Sequence, residues 1–417
     1  MMRRIIALFF IFGCTTVGWV ILGGVTNTRT YDQDETLEAA VGHLWGTVQQ
    51  QQAPTVRYRT WDRREVTRTV GSTTYTEAQS VPLWHPVPLA ASEIAVDLSL
   101  AHRRKGLLWY STYQVHFSAR YLVENKADVE RELDFDFTLP SQGAVYDDFR
   151  FAVEGKEIDH IEFTNGSLSH QLKLQPGEKR EVSVSYQTRG LNEWYYMFGS
   201  SVAQVKNFNL QMTTDFSGID FAQNSMSPSN KEQTGDGWRL TWSYANMLSG
   251  VQIGMVMPRK LNPGPWAAMV TFFAPVSLFF FFFLLFILTT VKEIRVHPMN
   301  YFFLGAAYFS FHLLLSYLVD HISLHAAFVI CSLVSIFLVI SYMRLVVGAR
   351  FALLEVGISQ FVSLVVFSYT FFFKGYTGLS VTIMSIVTLF VVIQYTGKLD
   401  WEKVFKDAGE RLEAAAR

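Results

Sequence analysis

The sequence predicts a membrane protein made of six transmembrane α-helices and one large, mainly antiparallel, sandwich-like β domain. Three observations predict it. One apolar stretch near the N-terminus and four after Trp266 supply about six lengths of the roughly 20 residues that cross a bilayer core as helix. Between them lie about 240 mostly polar residues, which from residue 55 alternate polar and apolar at a period of two. Lysines and arginines cluster beside the ends of the apolar stretches, where they set orientation.

The first span, residues 5–24, follows Arg3 and Arg4. Apolar sequence continues past Cys14 through Trp19 and Val20, which reads as an uncleaved signal anchor. Cys14 mimics a lipoprotein cleavage box, but Phe12 fits such a box poorly. Residues 34–50 predict a helix with Leu37, Val41, Leu44, Trp45 and Val48 along one stripe, closed by the glutamines at 49–52 and Ala53-Pro54.

The period then changes to two. Strands are expected over 55–70, 93–100, 109–123, 131–139, 157–163, 168–174, 181–187, 205–213, 238–244 and 251–257. Asn165-Gly166, Pro176-Gly177 and Asp236-Gly237 mark hairpin turns. The Asn165-Gly166-Ser167 sequon reads as one of these turns rather than as a glycosylation site. Short strands with hairpin turns and no intervening helices favour an antiparallel sandwich. Both cysteines, Cys14 and Cys331, fall in apolar spans, so no disulfide framework is available to the β domain.

The remaining spans cover 266–291, 301–319, 326–343, 351–373 and 379–395. Pro298 suits the first turn of its helix, and Pro275 predicts a kink. Lys292 and Arg295, Arg344 and Arg350, and Lys398 and Lys403 share one side with Arg3 and Arg4, while the short loops of the opposite side carry only Lys374. Positive charge is retained in the cytoplasm. Both termini are then expected there, with the large domain outside. The division is an anchor (1–24), a β-rich domain (25–262), a five-helix bundle (263–397) and a tail (398–417). The tail, with Trp401 and Leu412, reads as a short surface helix or a partner contact.

Candidate chemistry is sparse. Asp320, His321 and His325 sit at the outer end of the third span, where two histidines four apart offer a metal spacing or simply suit an interface. His312 and Glu355 are ionisable residues inside spans, with Gln360 and Gln394 as polar neighbours. Glu355 could pair with Arg350 or Arg344, and His312 could bond to a neighbouring helix; a proton or ligand role is the alternative for each. His312 and His321 are two and a half turns apart and face different ways. The arginines at 57, 59, 63, 64 and 68 and the run His102-Arg103-Arg104-Lys105 form a basic patch. It reads either as a solvated strand face or as a contact for anionic lipid or wall polymer. The formal net charge of −1 gives no nucleic-acid signal. No phosphate loop, zinc motif or nucleophile elbow occurs, so no cofactor and no enzymatic reaction are expected.

One ordered set of motifs goes further. It runs from Asp-Phe-Ser-Gly-Ile-Asp-Phe at 215–221 through Ser-Met-Ser-Pro-Ser at 225–229, with Ser227 and Pro228. Gly-Asp-Gly-Trp at 235–238 holds Gly237 and Trp238, and Ser-Gly-Val-Gln-Ile-Gly-Met at 249–255 holds Gly250 and Gly254. His297-Pro298-Met299-Asn300-Tyr301, the helix of Gly305, the segment 313–322 and Thr-Gly-Lys-Leu-Asp-Trp at 396–401 follow. In this order they resemble the CreD family of bacterial inner-membrane proteins. The likeness continues more weakly over 103–117, and residues 25 to about 100 depart from the family pattern. The resemblance implies an anchor, a periplasmic β-rich domain and a helical bundle, with a role in envelope integrity and the response to cell-wall stress. It implies no agreed catalytic residues. Its implied contacts are membrane lipids and envelope or wall components.

Overall fold

The apolar stretches fold as helices. The computed structural model describes residues 2–70, 73–106, 108–199, 203–373 and 375–397. Six helices among them are long and apolar enough to cross a membrane. They are α1 (Met2–Trp45), α2 (Pro263–Val291), α3 (Pro298–Leu318), α4 (Leu324–Val347), α5 (Ala349–Phe372) and α6 (Thr377–Thr396). The expectations placed on the Arg3, Arg4 and Arg68 side chains, on Lys374 and on the tail 398–417 lie outside the described residues. The chain forms two compact units, Met1–Glu35 with Leu261–Arg417, and Thr36–Lys260.

Helix α1 corrects one expectation. The anchor and the helix expected over 34–50 are a single helix, because residues 25–33 contain neither proline nor glycine. It stops at Gly46, whose φ of +105° only glycine adopts easily and whose N–H closes on the Gly42 carbonyl at 2.9 Å. The glutamines beyond it form a strand, Gln49–Gln52, instead of the last helical turn.

In the helical unit, apolar faces meet through ring contacts. Trp266 packs on Phe372 at 4.4 Å, Phe281 on Tyr308 at 5.5 Å, and Phe282 on Tyr301 at 5.5 Å. Gly305 lets α3 approach α1, since a Cβ there would lie 3.3 Å from the Thr15 methyl. Helix α2 continues unbroken through Pro275. Helix α5 contains two π-helical stretches, Ala352–Val356 and Phe361–Val366.

The β unit holds three sheets. The largest runs, edge to edge, through Asn230–Thr234, Gly237–Ser249, Ala203–Thr214, Ala91–Lys105, Leu108–Glu124, Lys179–Leu191, Tyr146–Val153 and Lys156–Glu157. A second runs through Thr73–Val87, Thr55–Val70, Arg131–Thr138, Ser167–Leu174 and Phe163–Thr164. A small third joins Gln49–Gln52, Glu193–Met197, Ile253–Val256 and Asp220–Phe221.

Alternation explains the layering. Val115, Phe117, Ala119, Tyr121 and Val123 turn one face of their strand inward, as Leu133, Phe135 and Phe137 do on the second sheet. The two faces meet at Phe117–Phe137 and Tyr121–Phe135, with ring centroids 6.4 and 6.1 Å apart. Each such ring contributes about 1.5–3 kcal/mol by leaving water. Pairing is antiparallel for the most part. Ala203–Thr214 runs parallel to Ala91–Lys105, and Gln49–Gln52 parallel to Glu193–Met197, which period alone does not reveal.

Two local readings need correction. Residues 157–163 are largely loop: Ile158 and Ile161 pack on the core at a spacing of three, so burial was mistaken for alternation. The third predicted turn centres on Gly235-Asp236, with Gly235 at φ +61°, and Gly237 already begins the next strand. Asn165 and Gly166, at φ +52° and +75°, make the predicted hairpin turn.

Candidate functional site

Within the helical unit, polar side chains converge on the π-helical part of α5. The Ser363 carbonyl accepts from the Ser277 and Tyr308 hydroxyls, the latter at 3.0 Å, and the two hydroxyls touch. A π turn widens the helix and turns carbonyls toward neighbours, a local feature frequent at functional sites. One turn earlier, the Gln360 amide donates to Ser335 Oγ at 3.0 Å, and Ser335 donates to the Ala307 carbonyl at 2.8 Å. All of these side chains are buried.

His312 lies beside this cluster in an aromatic shell. Its ring sits 4.9 Å from Phe311, 5.8 Å from Trp19 and 6.2 Å from Tyr308, centroid to centroid. Neither ring nitrogen has a hydrogen-bond partner, nor do Trp19 Nε1 and Gln360 Oε1. The bond from His312 to a neighbouring helix, expected from the sequence, is absent. Buried polar atoms normally find partners, since leaving one unpaired costs about 1–3 kcal/mol.

At the ends of the helices the predicted residues serve other ends. Glu355 pairs with Lys292, at the end of α2, and not with Arg350 or Arg344. Its Oε2 is buried without a partner. Asp320 pairs with Arg29 at 3.0 Å, and His325 stacks on Phe372 at 4.6 Å. His321 is exposed. These residues do not converge, and among the described residues no group of three or more His, Cys, Asp or Glu is placed to hold a metal. His297 caps α3, its Nδ1 accepting from the Met299 N–H at 3.2 Å. Asn300 Oδ1 accepts from the Tyr342 hydroxyl at 2.8 Å, tying α3 to α4. Tyr301 is buried against Phe282, and Gln394 is exposed.

The motif residues of the β unit likewise build structure. A Cβ on Gly237 would lie 1.7 Å from the Thr214 carbonyl oxygen, so only glycine fits. Trp238 N–H donates to Thr214 Oγ1 at 3.0 Å, and its indole to the Ser217 carbonyl at 2.9 Å. A Cβ on Gly254 would press on the Tyr195 ring at 2.7 Å. Ser227 and Gly250 are exposed, and Pro228 is half-buried.

Deeper in this unit, the Tyr186 hydroxyl donates to Gln51 Oε1 at 2.7 Å and the Tyr113 hydroxyl to the Glu193 carbonyl at 2.7 Å. Burial holds both phenols well above their ordinary range. Burial also pushes Tyr146 up to about 12 and lowers the His170 imidazole. Sequence reading gives Trp19 and Lys292 no site role and misses Arg29, Ser277, Ser335 and Ser363; of these four, Arg29, a lone cation just past an apolar span, carries a signal.

Helices of this length joined to a β unit of this size define a polytopic membrane protein carrying a large extramembrane β domain. The family model described as inner membrane protein CreD matches residues 1–402, and the chain belongs to that family. No curated protein matches it. Among solved structures, a Legionella pneumophila protein described as a candidate for nutrient binding aligns at 10% identity with a TM-score of 0.31, covering 63% of this chain and 84% of that one. An M1 zinc metallopeptidase from Deinococcus radiodurans aligns at 11% identity and TM-score 0.22, over 41% of this chain and 43% of its own. A two-domain M1 zinc metallopeptidase bound to L-tryptophan aligns at 13% and 0.22, over 42% and 44%. The chain thus spans less than half the length of either peptidase. Likenesses at these TM-scores say nothing about activity.

Proposed function

We propose that the chain is a non-enzymatic protein of the bacterial inner membrane that supports cell-envelope integrity and the response to envelope stress through its β unit. In this reading the basic clusters hold both termini in the cytoplasm, and the β unit stands in the periplasm, where it meets membrane lipids and envelope or wall components. One observation carries the reading. The family's motif residues Gly237, Trp238 and Gly254 are spent on locking strands of the β unit together, which suits a rigid scaffold rather than a reaction centre.

The test is to delete the gene and measure envelope barrier, detergent sensitivity and induction of envelope-stress genes. Loss of barrier restored by the intact chain is expected. An unaltered barrier and stress response would refute the proposal.

A second reading, a transporter or lipid-handling protein, is favoured by the unpartnered atoms around His312 and Gln360. Ionisable groups inside membrane spans are rare without a function. Substituting His312 separates the two readings.

A further inference from the structure

The strands Thr55–Val70 and Thr73–Val87 form a long hairpin. Only the stretch from Thr55 to Tyr58 also pairs with Arg131–Thr138. Beyond Tyr58, among the described pairings, the hairpin is a two-stranded ribbon, and the side chains at 59–64 are exposed.

One face of this ribbon is chemically distinct. Side chains at 57, 59, 61 and 63 project to the same side, opposite Pro86, Trp84, Pro82 and Ser80. The Arg57 guanidinium lies over the Trp84 ring at 4.5 Å, and Arg59 lies over both Trp84 at 5.7 Å and Trp61 at 5.0 Å. The result is a ladder of alternating arginine and tryptophan. Trp61 is 62% exposed and Trp84 39%. Arg57 is paired with Asp136 at 3.1 Å, whereas Arg59 and Arg63 have no carboxylate partner among the described residues. The neighbouring acid, Asp62, faces the other side and pairs with Arg64 at 3.4 Å.

We propose that this face docks on an anionic phospholipid surface. Its charge calls for an anion, since Arg59 lies against two exposed indoles and neither Arg59 nor Arg63 has a carboxylate partner among the described residues. The indole faces already carry guanidiniums, so they offer no bare platform for a sugar ring. Arginine stacked on tryptophan instead suits the headgroup layer, where phosphate takes the cation and the indole sits at the apolar boundary. Pro82 and Pro86 deprive the outer strand of N–H donors, which disfavours a second copy adding a strand at that edge. The proposal rests on the reading that the β unit works at the envelope, and supplies its partner.

The test uses the full chain in phosphatidylcholine nanodiscs, mixed with separate vesicles of phosphatidylglycerol or phosphatidylcholine, or with polygalacturonate. Flotation with the phosphatidylglycerol vesicles alone is expected. The double variant Arg59→Gln/Arg63→Gln should lower that partitioning about 30-fold, at about 1 kcal/mol per arginine. Trp61→Ala/Trp84→Ala should also lower it, with unchanged thermal unfolding of the β unit in both variants. Equal capture by both vesicles, capture that survives the substitutions, no capture, or binding to polygalacturonate in place of vesicles would each overturn the proposal. A barrier defect on gene deletion is read separately, so failed capture leaves the envelope role standing.

Discussion

Arg29 and Asp320 form an ion pair at 3.0 Å that ties α1 to the turn after α3. The same guanidinium donates to the Ser316 carbonyl at 2.8 Å and lies over the Tyr317 ring at 5.4 Å. Arg29 therefore keeps two contacts when Asp320 is neutralised, whereas removing Arg29 ends all three.

That asymmetry predicts unequal losses. Arg29→Ala should destabilise the helical unit by about 1–2 kcal/mol, and Asp320→Asn by less than about 1 kcal/mol, because a partly exposed pair adds little on its own. Thermal unfolding of the purified protein in detergent measures both. Equal losses would contradict the hydrogen bond's share.

Gly237 is the steric counterpart. Gly237→Ala should cost about 3 kcal/mol or more, since the clash is with backbone that cannot rotate away. Gly143→Ala should be close to neutral, since a Cβ there meets nothing within 4 Å. Denaturant midpoints of the two variants provide the comparison.

The buried tyrosines make stability fall at high pH. Tyr113 and Tyr186 hold their protons in the folded state at pH values where the unfolded chain loses them. Their contribution is thus complete below about pH 10 and declines above it, by about 1.4 kcal/mol per pH unit for each such phenol. Tyr186→Phe should flatten that decline. It should also cost about 1–3 kcal/mol at neutral pH, because Gln51 Oε1 loses its donor. Unfolding midpoints at neutral pH and above about pH 10 test both effects.

His312→Leu separates the two functional readings. It removes two buried nitrogens that have no partners, so the helical unit should gain about 1 kcal/mol or more. Envelope barrier should be unchanged. A correctly folded variant that loses barrier function would instead favour transport through the bundle.

Much of the architecture was legible in the sequence, because a bilayer demands long apolar helices and a half-buried sheet demands alternation. The period-two runs around Phe117, Phe135 and Tyr186 name core residues directly. The small third sheet was not legible. Its first strand is four glutamines, of which Gln49 and Gln51 are buried through bonds such as Gln51 Nε2 to the Thr138 carbonyl at 3.1 Å, made far along the chain. Strand Thr73–Val87 is hidden in the sequence because Pro82 and Pro86 read as strand breakers, and among the described pairings it has only its hairpin partner to order it.

The candidate site was partly legible. His312 and Gln360 stood out as polar residues inside spans, and both lie in or beside the buried cluster. Ser277, Ser335 and Ser363 do not stand out, because serine is common in membrane helices; the π turn of α5 joins Ser277 to the Ser363 carbonyl, and Ser335 links Gln360 to the Ala307 carbonyl. The Asp320, His321 and His325 spacing was misleading. The i, i+4 spacing is not helical here, because α3 ends at Leu318 and α4 begins at Leu324, and Arg29 and Phe372, distant in sequence, claim Asp320 and His325.

The most direct measurement is dye entry into cells lacking the protein and complemented with one of three forms: the intact chain, His312→Leu, or Gly237→Ala. A defect repaired by the first two and not by the third is the predicted result, since only the third breaks the β unit. Repair by Gly237→Ala, with its β unit shown to be unfolded, would contradict the assignment of function to that unit.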